Sequence, residues 1–150
     1  MAHIHEKIDF TASVFIVREG TVLLHLHKKL GKWLQPGGHV ELEEDPNQAA
    51  IREAKEETGF DVELVGGPRL PGLKNESTDL IPPKFLNRHR FNEVHEHIDL
   101  AYFARVVGGT VQPEEGGQIR WFSKEEIELN EVGLHPVTQA YARAALEELA

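Results

Sequence analysis

From position 8 to position 18 apolar residues occupy both parities of the chain. Phe10, Ala12, Val14 and Ile16 alternate with Phe15 and Val17. A strand with two apolar faces belongs in the middle of a sheet covered on both sides, so Ile8–Arg18 reads as a central strand. Glu19 and Gly20 make a turn, and Thr21–His27 returns as a second strand. Residues 28–32 form a short basic loop, and Pro36-Gly37-Gly38 interrupts the stretch 33–39. A helix start follows. Asp45 can cap, Pro46 suits the first turn, and Gln48 completes a capping box. This helix should run to Thr58 and stop at Gly59. Residues 60–65, 84–91, 97–107 and 119–122 read as further strands, with Gly108 and Gly109 turning the chain. The long segment 66–83 reads as a loop. Ser123 opens a helix with Glu126 as its capping partner. The last helix, from Pro136 to Leu149, should turn Val137, Ala140, Tyr141, Ala144, Ala145 and Leu149 inward. The expected fold class is α/β: one mixed sheet covered by helices, in a single domain spanning residues 1–150.

Charge narrows the function. With 16 Lys+Arg against 25 Asp+Glu the net charge is −9, the wrong sign for generic duplex-DNA binding. The absence of cysteine removes disulfides, thiolate metal sites and cysteine nucleophiles. The apolar run from Phe10 to Val17 is too short to span a bilayer and lacks the flanks of an export signal, so the cytoplasm is the expected compartment. Small substrates remain, including anionic ones accompanied by metal ions.

The acidic residues are not spread evenly. Residues 38–60 hold seven acidic and two basic side chains, and so five of the nine net negative charges. Glu53, Glu56 and Glu57 lie at i, i+3 and i+4 and share one helix face. Three carboxylates on one face suit a hard cation such as Mg²⁺ or Mn²⁺, although a solvated acidic face has the same spacing. Arg52 and Glu44 are placed to brace the group.

The whole pattern is more specific than the carboxylates. Gly38 is followed after five residues by Glu44, and after seven more by Arg52-Glu53-Ala54-Lys55-Glu56-Glu57-Thr58-Gly59-Phe60. Every fixed position matches the Nudix box, and the chain resembles the Nudix (MutT-like) hydrolases. The lead-in Trp33-Leu34-Gln35-Pro36-Gly37-Gly38 is similar to theirs as well. The resemblance implies an α/β/α sandwich. It also implies Mg²⁺- or Mn²⁺-dependent attack of water on a phosphoanhydride, in a nucleoside diphosphate linked to another group. Nucleoside triphosphates, oxidised nucleotides, ADP-ribose and nucleotide sugars all satisfy that description. It assigns metal binding to the Gly38 carbonyl and to Glu53, Glu56 and Glu57, with Arg52 and Glu44 holding the geometry. The general base stays open between Glu53 and a downstream glutamate, Glu114 or Glu115. Residues 74–77 carry neither the proline nor the tyrosine that marks ADP-ribose or dinucleoside polyphosphate subfamilies. The family often forms homodimers. The same fold without turnover would serve as a ligand-sensing or protein-binding module.

Substrate contacts are assigned more loosely. Lys28 and Lys29 can neutralise phosphate charge, and Trp33 can stack on a base or wedge the Gly-Gly turn. His39 adjoins the box glycine. His95, His97 and Asp99 alternate, and so share one side of their strand. His25 and His27 do the same on theirs, and a His-x-His pair of this kind can also bind a transition metal.

Overall fold

The computed structural model describes residues 7–67 and 77–149. Segment 68–76, and with it most of the 74–77 stretch, lies outside the described residues. Among the described residues eight strands and three helices follow in the order β1 (Ile8–Arg18), β2 (Thr21–His27), β3 (Lys32–Leu34), β4 (Gly37–His39), α1 (Pro46–Thr58), β5 (Phe60–Leu64), β6 (Phe85–Arg90), β7 (Glu96–Gly109), β8 (Gln118–Ser123), α2 (Lys124–Leu129) and α3 (Pro136–Leu149).

The strands form one mixed sheet with the path β3-β2-β1-β7-β5; β4 pairs with β1, β6 with β7 and β8 with β2. Only β1 and β7 run parallel; every other described pairing is antiparallel. The alternation along β1 decides the layers. Ala12, Val14 and Ile16 join Ala49, Ala50 and Ala54 of α1 in one core. Phe15 and Val17 point the other way, into a core with Ile127 of α2 and Ala142, Ala145 and Leu146 of α3. The sheet is thus apolar on both faces because each is covered by helix, as the double parity of β1 requires.

Helix α1 has the expected ends. Asp45 accepts from the Gln48 amide and the Gln48 side chain returns to the Asp45 amide; Gly59 closes the helix in the left-handed region at φ 84°. A side chain at Gly59 would also strike the Thr110 carbonyl at 2.2 Å. Ser123 and Glu126 form the second capping box.

Three expectations are corrected. The 33–39 stretch contains two short strands, β3 and β4, rather than turn alone, because β2 and β1 offer open edges that pair with them. Gly108 and Gly109 do not turn the chain; they remain paired with Asp61 and Phe60 of β5. On α3, Ala145 and Leu149 are buried and Tyr141 and Ala144 pack against the same core, as expected, but Val137 and Ala140 are exposed and Thr138, Ala142 and Leu146 are buried in addition. The inward face is thus shifted in part from the expected one. Thr138 is drawn in by its hydrogen bond to the Gln35 side chain, a partner that hydrophobic periodicity does not register.

Candidate active site

The site is built where α1 crosses the β4 backbone. Gly37 and Gly38 sit beneath the helix because there is no room for more. A Cβ on Gly38 would lie 2.3 Å from Glu53 Oε1, and one on Gly37 would lie 2.7 Å from the Ala12 carbonyl. The Gly37 amide donates to Glu57 Oε2 at 3.2 Å. Glu53 and Glu57 are therefore held against the glycine strand, with side chains 13% and 11% exposed.

Arg52 ties the surrounding acids together. Its Nη2 lies 2.6 Å from Glu44 Oε1, and its Nε donates to Glu44 Oε2 at 3.0 Å. Its Nη1 donates to Glu53 at 3.0 Å and Glu56 at 3.1 Å, and Nη2 also reaches the His39 carbonyl. One planar guanidinium thus spans three carboxylates and the β4 backbone, a geometry a lysine ammonium does not reproduce. Arg52 holds the Glu44 carboxyl below its ordinary value, while the carboxylates raise that of Arg52. Glu56, at i+4 from Arg52, has turned outward and is half exposed.

The two inner carboxylates behave differently. Burial pushes Glu57 up to about 8, reinforced by Glu53 and Glu114 and opposed by the Gly37 amide. Burial also raises Glu53, with Arg52 pulling it down. Crowded, desolvated carboxylates with one shared arginine lack positive charge. A divalent cation would supply it, and the donors here are all hard oxygens, so the residues present fit Mg²⁺ or Mn²⁺.

A cleft of about 250 Å³ opens beside Glu57, lined among others by His25, Lys28, Lys29, Glu114 and Glu115. Lys28 lies over Gly116, whose missing side chain leaves space for the lysine Nζ. The glutamates of the downstream loop and the lysines of the basic loop thus meet at one opening. His25, which the sequence singles out only as part of a His-x-His pair, lines the same opening and reaches the inner carboxylates: its Nε2 lies 3.2 Å from Glu57 Oε2. Burial lowers the His25 pKa, His27 adds to the effect, and a hydrogen bond to the Gln35 backbone works against it. The one sequence signal that could have marked His25 is its parity with His27 on β2.

The remaining candidates lie elsewhere. Trp33 packs edge-on against Phe122, with ring centroids 5.5 Å apart, beside the α3 core. His39, His95, His97 and Asp99 gather on the opposite face of the sheet from Glu53. Strand alternation explains this: Gly38 pairs with Ala12 and faces α1, so His39, paired with Thr11, faces away. Asp99 is buried and accepts from Thr11 Oγ1 at 2.8 Å and Ser13 Oγ at 2.7 Å. Its carboxyl is raised by burial, with both hydroxyls opposing.

A helix carrying glutamates packed on a glycine strand, in a mixed sheet between helical layers, defines a class, and comparison with known proteins agrees. The chain matches the NUDIX domain over residues 7–148, and it belongs to the NUDIX family of hydrolases. A crystal structure of a NUDIX-family hydrolase from Clostridium perfringens is 38% identical, with a TM-score of 0.80 over 95% of this chain and 98% of that one. A MutT NUDIX hydrolase from Burkholderia pseudomallei shares the fold at 22% identity and a TM-score of 0.66, covering 97% of this chain and 100% of that one. In Lactococcus lactis a protein named "Probable DHNTP pyrophosphohydrolase" is 34% identical over 103 residues, 69% of this chain. The match spans 57% of that relative's length, and a separate match spans 33% of a Caenorhabditis elegans protein named "Putative nudix hydrolase 1".

Proposed function

We propose that this protein is a divalent-metal-dependent pyrophosphohydrolase. Its substrate would be a small nucleotide-type diphosphate, and water would attack phosphorus to break a phosphoanhydride bond. The observation that carries this reading is the packing of Glu53 and Glu57 against Gly37 and Gly38, beside a cleft that also presents lysines and a second pair of glutamates.

The carbonyl of Gly38 and the carboxylates of Glu53 and Glu57 would hold Mg²⁺ or Mn²⁺, with Glu56 able to swing in from Arg52. When bound, the cation offsets carboxylate charge, accepts phosphate oxygens and lowers the pKa of water. Arg52 keeps Glu53 in place and, through the His39 carbonyl, keeps β4 in register with α1. Lys28 and Lys29 would attract and orient the phosphate chain, a task for which flexible point charges suffice. Glu114 or Glu115, which line the cleft, would take a proton from the attacking water, and Glu53 is the alternative. The L. lactis relative makes DHNTP a substrate to test beside nucleoside triphosphates, oxidised nucleotides, ADP-ribose and nucleotide sugars.

The test is release of phosphate or pyrophosphate from that panel with Mg²⁺ or Mn²⁺. Turnover that requires metal and falls by about a thousandfold or more in Glu57→Gln supports the proposal. Nucleotide binding without turnover across the panel would replace it with a ligand-sensing role. Glu114→Gln and Glu115→Gln, assayed separately, identify the base by which one flattens the pH–rate profile.

A further inference from the structure

The face of the sheet turned away from α1 carries a second concentration of ligating groups. Helix α3 covers its apolar half, where Phe15, Ala101 and Phe103 are buried. Beyond that cover the same face becomes polar. The parallel register sets Asp9 beside His97 and Thr11 beside Asp99. Strand β6 adds His89 opposite His97, and β4 adds His39 opposite Thr11.

We propose that Asp9, His39 and His97 form a second cation site. It would take an imidazole-preferring divalent transition metal such as Zn²⁺, and it is separate from the carboxylate site on α1. One ligand atom from each of the three lies within 4.8 Å of the others. His39 Nε2 is 3.7 Å from Asp9 Oδ2, and His95 Nε2 approaches the same oxygen at 3.7 Å. Ligands at about 2.0–2.1 Å from tetrahedral zinc are roughly 3.4 Å apart, so small side-chain movements close the set. His95 touches the Asp9 carboxylate but lies outside the three-residue set.

Two features prepare the site. His97 is only 8% exposed and is clamped: its ring stacks on Phe91 at 4.8 Å and meets His39 and His89 edge-on at 5.1 and 5.4 Å. His97 is also held below its ordinary value by burial, with His39 and His89 adding to the effect and Asp9 and Asp99 opposing it. The chemistry also separates the two sites. Imidazole nitrogens with one carboxylate favour zinc-class ions, whereas the all-oxygen set on α1 favours Mg²⁺. The sites stand back to back across β4, since Gly38 faces one and His39 the other.

The experiment uses untagged full-length protein stripped with a chelator. Zinc affinity is measured by competition with a chromophoric chelator, stoichiometry by elemental analysis, and ligand type by the visible spectrum of the Co²⁺-substituted protein. Wild type should take up one Zn²⁺ at this site and show a tetrahedral Co²⁺ spectrum. His39→Gln and His97→Gln should each weaken zinc binding by about a hundredfold and lose that spectrum. Glu53→Gln/Glu57→Gln should keep both, as should His3→Gln/His5→Gln, which removes the histidines of the amino-terminal segment. His39 is exposed, so its variant folds even if that of His97 does not, and circular dichroism verifies each. Wild-type affinity in His39→Gln and Asp9→Asn, or zinc lost with the His3/His5 or Glu53/Glu57 pairs instead, would overturn the proposal. So would failure of wild type to bind zinc.

Discussion

Glycine 38 shows how one missing side chain sets the chemistry around it. The atom that a Cβ would strike is the terminal oxygen of Glu53, the movable end of a flexible side chain. Gly38→Ala should therefore fold, losing no more than about 1 kcal/mol, but displace that carboxylate and lower metal-dependent turnover by at least about tenfold. Circular dichroism and the phosphate-release assay measure the two effects separately. Arg52 is the counterpart among the charged residues. Its fork meets Glu44, Glu53 and Glu56 at once. Arg52→Lys preserves the charge but not that fork, so turnover should fall by about ten- to a hundredfold with the melting temperature little changed. A variant with wild-type kinetics would show that charge alone suffices. The glutamates and Arg52 were legible from the sequence because the 3.6-residue period of α1 fixes which of its residues are neighbours. His25 was not, because its contact with Glu57 is made between β2 and α1.

Helix α1 carries the carboxylates, so its ends matter beyond local stability. The Asp45–Gln48 box satisfies amides that would otherwise be unpaired. Asp45→Ala should cost about 1 kcal/mol, lowering the melting temperature by roughly 2–4 °C in a chain of this size. Calorimetry checks this, and an unchanged melting temperature would show that tertiary packing alone holds the first turn. Both capping boxes were legible, since capping is decided within four residues. The short strands β3 and β4 were not. Three residues carry too little pattern to declare themselves, and their partners on β1 and β2 provide the hydrogen bonds. The α3 face was legible only approximately, because the Thr138–Gln35 hydrogen bond helps select which residues turn inward.

At the scale of the whole molecule, stability is coupled to protons through the crowded carboxylates. Burial raises Glu57 in the folded protein from 4.5 to about 8. The folded state thus holds this proton more tightly than the unfolded chain. The stabilisation is fully present below pH 4.5 and is lost as pH rises towards about 8. Thermal melts of metal-free protein should show that decline, and Glu57→Gln should flatten it and melt several degrees higher at pH 8. A divalent cation present at about a hundred times its Kd should restore about 2.7 kcal/mol in wild type. Among the described residues no helix is long and apolar enough to cross a membrane.

Local rules let the sequence alone determine much of this protein. The two-sided alternation of β1 called for a sheet with helices on both faces, the capping residues bounded α1, and the spacing of residues 38–60 placed the chain among the NUDIX hydrolases. Each of these depends on residues close together in the chain. Only the tertiary structure decided what meets across it. The parallel pairing of β1 with β7 brings Thr11 to Asp99, 88 residues away, and Asp9 to His97. The course of the 110–117 loop brings Glu114 and Glu115 to the cleft beside Glu57. Such contacts follow from strand order and register, which the two-residue period of a single strand leaves undetermined.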